Sequence, residues 1–264
     1  MVAPSDRAVC RVTAAASVCS VRSLRDEIIT TTARVSDLLC ALPDGDLPLS
    51  RVTWSAAELG AHLVSLPRRY RRTAQTPAPF PASLSADNHR ELAAVSERAP
   101  GALADLLEAF GEDGEQPVWY FTVPHTVTGV GAILLGELLL HGLDLARACQ
   151  RSWPITRAQA LACLRGVLPA IILAVDVDAA PKATAPTICT CAAVRTGPCG
   201  VHGGAVRVER GRPRQADLHL STDPVMFLLN AYGLISRARA LLSGRIICWG
   251  RRPWLAVRFD PTRG

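Results

Sequence analysis

Residues 136–148 read GELLLHGLDLARA and place three ionisable side chains, Glu137, His141 and Asp144, among leucines. The apolar spacing predicts a helix over 129–149. Successive side chains on a helix are rotated by about 100°, so these three share one face, and that face lies among the leucines. A buried carboxylate needs a charged partner, a hydrogen bond or a metal. The stretch therefore predicts a core helix of a bundle with a polar cluster that requires a partner.

A metal ion is one candidate for that partner, because Glu-x3-His spacing suits two ligands on one helix. His62 is the best third ligand, since the nearby Leu59 and Leu66 mark the same apolar stripe. Two histidines and one carboxylate suit zinc with an open coordination position, where a thiol or water ionises or a carbonyl is polarised. The residues alone leave the alternative open, since the motif also occurs by chance and a single buried histidine is more often a core residue.

Apolar periodicity predicts four helices in the first part of the chain, followed by a mixed region. Ser55 and Glu58 form a capping box, and Pro67 is expected to end the second helix. The predicted helices cover 21–42, 55–66, 89–110 and 129–149. The segment 118–127 is expected to be extended or irregular.

The rest of the chain reads as a smaller α+β region. It is expected to hold helices over 157–176 and 223–244, and short strands within 187–197, 205–211, 216–222, 245–250 and 254–259. The fold class is therefore α+β, with a flexible tail over 1–20, a helical bundle over 21–152 and an α+β domain over 153–264.

Composition narrows the class of protein. Apolar residues make up 49% of the 264 residues, which permits a sizeable core. The net charge of +6 is spread along the chain, and its densest run, PRRYRRT at 67–73, is typical of a solvated helix end or loop. We therefore expect no nucleic-acid partner and, from hydropathy, no membrane span. Nine cysteines in a chain of this size favour reduced thiols and a cytoplasmic setting.

Two motifs, TWSAAELGAHL at 53–63 and GELLLHGLDLARA at 136–148, resemble the mycothiol-dependent maleylpyruvate isomerase family. The resemblance implies a DinB-like four-helix bundle. It also implies that a divalent metal, usually zinc, is held by His62, Glu137 and His141, which agrees with the spacing argument.

The C-terminal stretch 216–259 is similar to the sterol-carrier-like domain that often follows this bundle. The family pattern has Gly-Arg where this chain has Gly233 and Leu234. In the family, that region is thought to supply an arginine for the substrate's carboxylates. Arg237 or Arg239 could take this part, and the departure indicates a substrate other than maleylpyruvate.

The resemblance implies an enzyme that depends on a divalent metal and on a small thiol of the mycothiol type. It would act as an isomerase or S-transferase on a small electrophilic, anionic substrate, with His62, Glu137 and His141 acting through the metal. Asp144 is expected to contact one of the metal ligands and orient it, with capping of a neighbouring element as the alternative. The alternative is a non-catalytic protein that binds a small molecule or lipid, with a structural metal or none.

Other polar residues offer weaker metal-site candidates. His125 could be a fourth ligand, although a loop histidine more often faces solvent. A second zinc site of three cysteines and one histidine is disfavoured by its C-x-C spacing, which suits two strand residues on one face. Its members would be Cys189, Cys191, Cys199 and His202.

Overall fold

The computed structural model describes residues 21–49, 53–76, 108, 113–121, 123–174, 199–202, 205–208 and 219–254. These residues form mainly helices, together with small antiparallel sheets of two strands each. This content is compatible with the expected α+β class. The described residues up to Ala170 belong to one compact unit, and those from Ile171 onward belong to a second. The predicted domain boundaries remain predictions.

The described part of the first unit contains three of the four helices predicted for the bundle. Its elements are α1 (Val21–Ala41), α2 (Ala56–Gln75), β1 (Pro117–Tyr120), β2 (Val123–Thr126), α3 (Val127–Ala148) and α4 (Arg157–Ala174), the last of which crosses into the second unit. The predicted helix over 89–110 lies outside the described residues except for Glu108, which is helical. The four-helix bundle therefore stays a prediction.

Helix α2 differs from the prediction, because it does not end at Pro67 but continues to Gln75. Proline lacks the N–H that would bond the preceding turn, and this favours a helix end. Here the following residues supply a reason to continue: Tyr70 is 1% exposed, and its ring meets that of Tyr120 edge-on at 5.6 Å. Tertiary packing thus outweighs the local preference of proline. The predicted capping box of Ser55 and Glu58 is confirmed.

The second unit contains short elements. They are β3 (Cys199–His202), β4 (Ala205–Val208), β5 (His219–Thr222), α5 (Pro224–Ala231), α6 (Arg237–Leu242) and β6 (Ile246–Trp249). Strand β3 pairs with β4, and β5 pairs with β6, both antiparallel. The single helix predicted over 223–244 is wrong: it is broken at Gly233, whose φ of 68° is the left-handed conformation that ends helices. The strands predicted at 187–197 and 254–259 lie outside the described residues, apart from Trp254.

Helix α3 forms the core of the first unit. Leu24 of α1 lies against Gly131. Gly166 of α4 lies so close to the backbone of Gly129 that a side chain at position 166 would clash with it. By length and hydropathy α3 could also cross a membrane, with 83% of its most apolar window buried inside the protein. Buried core helices pass the same test, so the hydropathy of α3 does not distinguish a membrane-spanning helix from a core helix.

Candidate metal centre

The structure brings His62, Glu137 and His141 together. The Nε2 atoms of His62 and His141 lie 3.8 Å and 3.2 Å from the same oxygen, Oε2 of Glu137. One possible ligand atom from each of the three lies within 4.8 Å of the others. The capping box begins α2 so that its second turn presents His62, while Thr126 caps α3, which presents the other two. We refer to these three residues as the trio.

His62 carries the clearest sign that the trio is incomplete. Its side chain is 2% exposed, yet neither ring nitrogen has a hydrogen-bond partner. A buried polar atom without a partner costs about 1–3 kcal/mol, so proteins seldom leave two on one ring. A ligand that accepts the lone pair of Nε2 would remove part of that cost.

The charges of the metal-free trio compensate one another. Burial disfavours the ionised form of Glu137, but its interactions with His141 and His62 outweigh this effect and lower the pKa from 4.5 to about 2. Burial likewise disfavours protonated His141, but Asp144 and Glu137 outweigh it and raise the pKa from 6.5 to about 9. At neutral pH, therefore, a carboxylate lies beside an imidazolium, and a proton holds the place that a cation could take.

Asp144 lies where the sequence argument expected a residue that orients a ligand. Its Oδ2 is 3.5 Å from Nδ1 of His141, and its side chain is 1% exposed. At this distance the attraction is mainly electrostatic. A carboxylate behind the distal nitrogen of a histidine fixes the ring orientation and makes the other nitrogen a stronger ligand. The role itself remains a prediction.

Trp54 was not assigned a role from the sequence, although it opens the motif that contains His62. Its ring centroid lies 4.8 Å from that of His62 and 6.4 Å from that of His141. The two imidazoles meet edge-on at 5.3 Å. The indole thus packs against both histidines and limits the rotation of rings that few hydrogen bonds restrain.

The trio fits a divalent metal. Zinc ligands about 2.0–2.2 Å from a tetrahedral centre lie roughly 3.3–3.6 Å apart. The 3.2 Å and 3.8 Å separations bracket that range. Two imidazoles and one carboxylate are also ligands that zinc accepts readily. Among the described residues, the trio is the one group of three such side chains close enough to hold an ion.

A small cleft opens beside the trio and was not foreseen from the sequence. Besides His62 and Glu137 it is lined by Leu66, Arg69, Tyr70, Tyr120 and Phe121. A prediction that α2 continues past Pro67 would have indicated Leu66, Arg69 and Tyr70, because they follow His62 on one face of the helix. The two hairpin residues gave no such signal.

The remaining predicted residues divide into three groups. His125 is no ligand in this structure: its Nδ1 accepts from the N–H of Thr126 and its Nε2 bonds to the carbonyl oxygen of Gly166. Arg239 is exposed in α6, and the side chain of Arg237 lies outside the described part, so their role in substrate binding stays a prediction. For the disfavoured second zinc site, no described side chain is available to test it.

Comparison with known proteins gives a likeness of fold. No protein-family model matches the chain, and no curated protein matches its sequence. Among solved structures the chain is similar to a mycothiol-dependent maleylpyruvate isomerase, with a TM-score of 0.50 and 13% identity over 82% of this chain and 90% of that one. A mutant of such an isomerase gives a TM-score of 0.49 and 12% identity over 86% and 92%. At this identity the likeness concerns the fold alone, and family membership stays a prediction.

Proposed function

We propose that His62, Glu137 and His141 hold one divalent metal ion, most simply zinc, and that the protein is a thiol-dependent isomerase or S-transferase. The observation that carries the proposal is the convergence of the trio, one member of which is a buried histidine whose two ring nitrogens have no hydrogen-bond partner. Three protein ligands leave a coordination position open, which is typical of catalytic zinc sites.

The chain's residues have distinct parts in this proposal. The two imidazoles and the carboxylate bind the ion, and Glu137 reduces its net charge. Asp144 orients His141, and Trp54 limits the rotation of both rings. When bound, the ion supplies a Lewis acid that lowers the pKa of a thiol or water and polarises a carbonyl. The cleft beside the trio would be the route by which a small molecule reaches that position.

The reaction class is taken from the structural neighbour and remains part of the proposal. That neighbour is, by name, mycothiol-dependent and an isomerase. A mycothiol-type thiol would attack an electrophilic carbon of a small substrate. The thiol leaves again in an isomerisation and stays attached in a transfer. We expect the substrate to be anionic and the protein to act in the cytoplasm, as the sequence indicated.

Elemental analysis of the purified protein tests the metal directly. We expect about one divalent ion per chain in the wild type, and loss of it in His141→Ala and Glu137→Gln. Glu27→Gln is the matched control, because it makes the same charge change at a carboxylate that accepts a hydrogen bond from Gln159, away from the trio. Retention of the ion in His141→Ala would contradict the proposed ligand set.

The thiol is tested next on metal-loaded protein. Thiol-dependent conversion of small electrophilic acids should require both the thiol and the ion, and should disappear in His141→Ala. A wild-type protein that carries no ion, keeps its fold in chelator and contains a co-purifying lipid would instead establish the non-catalytic alternative.

A further inference from the structure

The cleft beside the trio has a cationic wall formed by α2. Arg69 lines the cleft and is half-buried, whereas Arg68, Arg71 and Arg72 of the same basic run are exposed. Arg69 follows His62 by seven residues, two helical turns or about 10 Å along the axis. Helical side chains lean toward the N-terminus, so this long side chain is directed back toward the trio.

Tyr120 supplies a neutral donor on the opposite wall. Its hydroxyl is hydrogen-bonded with Tyr70, and burial together with the charge of Glu137 raises its pKa from 10.0 to about 12. The hydroxyl therefore stays protonated at any physiological pH and can donate to an anion. The β1–β2 hairpin holds it across from α2, with Tyr120 paired to Val123 at the tip.

Leu66 and Phe121 make the rest of the wall apolar. Phe121 is 7% exposed and has a φ of 55°, a left-handed conformation that is rare and strained for a bulky side chain. Its ring meets that of Tyr120 at 4.9 Å. Strained backbone of this kind persists where the surrounding packing holds a side chain in place, and it is concentrated at binding sites.

We propose that this cleft is a binding subsite for the carboxylate of a small organic acid, with Arg69 as the cation and Tyr120 as a hydrogen-bond donor. The inference rests on the proposed function in one respect: the other end of the acid is taken to reach the trio. Its carbon chain lies against Leu66 and Phe121. The ionised carboxylate of Glu137 repels the carboxylate of the acid, so the anionic end of the acid is directed toward Arg69. A guanidinium has five N–H donors and can bind a ligand while it keeps an intramolecular partner.

The small size of the cleft limits the ligand to a small acid. The subsite therefore selects a small electrophile or a small thiol that carries a carboxylate, and it does so through a residue of the first unit. It does so independently of Arg237 and Arg239.

Binding of 3-mercaptopropionate and of its neutral amide, followed by calorimetry on the full chain with its metal content measured, tests the subsite. We expect the wild type to prefer the acid by about tenfold or more, as for a charge-assisted contact. Arg69→Met should remove the preference while leaving metal content and amide binding unchanged. Arg68→Met, the same change at an exposed neighbour, should retain it. Tyr120→Phe should reduce it a few-fold.

A second pair of probes separates this inference from the proposed function. Butyrate and butyramide lack a thiol and do not need the ion, so a preference for butyrate that depends on Arg69 supports the subsite even if the protein carries no metal. Equal affinity for acid and amide in the wild type, or the same preference in Arg69→Met, overturns the subsite. Neither result affects the metal content by which the trio is judged.

Discussion

Two histidines in the first unit, His62 and His125, have opposite environments. Both ring nitrogens of His125 are used by the backbone, at 2.9 Å from the nitrogen of Thr126 and 3.0 Å from the oxygen of Gly166. Both ring nitrogens of His62 lack a hydrogen-bond partner, although His62 is the more deeply buried. The hydrogen bonds of a histidine that supports the fold are made by its own chain, whereas a histidine proposed as a metal ligand should keep a ring nitrogen free of hydrogen bonds. Burial alone does not separate the two roles.

The largest effect that the comparison predicts is on metal binding. His62→Ala should lower metal affinity by about a thousandfold or more, since two ligands hold an ion far more weakly than three. Without metal its stability should change by only about 1 kcal/mol, because the cavity created and the unpartnered nitrogens removed have opposite effects. Chelator competition measures the first, and thermal unfolding in chelator measures the second. Unchanged affinity would remove His62 from the site.

His125→Ala should show the reverse pattern. Loss of two buried hydrogen bonds and of ring packing against Gly129 should lower the free energy of unfolding by about 2–4 kcal/mol. Metal content should remain that of the wild type. Denaturant unfolding with elemental analysis of the folded protein checks both. A metal-depleted but stable His125→Ala protein would show that the two histidines had been assigned the wrong way round.

Asp144→Asn should have an intermediate effect. It keeps the shape beside His141 but removes the charge that raises the pKa of that histidine. Changes of this kind typically weaken metal binding about 10–100-fold. If Asp144 acts by orienting and charging His141, the variant should also lower the pKa of His141, as NMR titration of the metal-free protein would show. Weaker binding with an unchanged pKa would indicate a purely structural role.

The smallest predicted effect is the change in metal affinity with each unit of pH. The raised pKa of His141, about 9, means that it is protonated in the metal-free protein at neutral pH. Because only neutral imidazole binds a metal, affinity should rise with pH by about tenfold per unit and level off above about pH 9. Glu137, with a pKa of about 2, adds no dependence above pH 4. Calorimetry in buffers of different ionisation enthalpy should detect at least one released proton per ion at pH 7, and an affinity independent of pH would be inconsistent with His141 as a ligand.

The sequence by itself located α1, α3, α4, the start of α2 and the members of the trio. Leucine spacing marked α3, the Ser55–Glu58 box marked the start of α2, and helical rotation placed Glu137 and His141 on one face. These features depend on neighbours within a few residues, which a linear pattern records well. The resemblance to a thiol-dependent isomerase family agreed with the fold found by structural comparison, and it supplied the reaction class that remains proposed.

Only the tertiary structure decided the state of each histidine and the shape of the cleft. Whether a histidine finds hydrogen-bond partners depends on contacts between distant segments. His125, for example, bonds to Gly166, which is 41 residues away in sequence, whereas no described segment forms a hydrogen bond with the ring nitrogens of His62. Local preference predicted that α2 ends at Pro67. In the structure the helix continues, because Tyr70 packs against Tyr120, and this continuation brings Arg69 to the cleft beside the trio. Hydrogen bonding and ring packing between distant segments are properties of the folded chain, and local periodicity does not encode them.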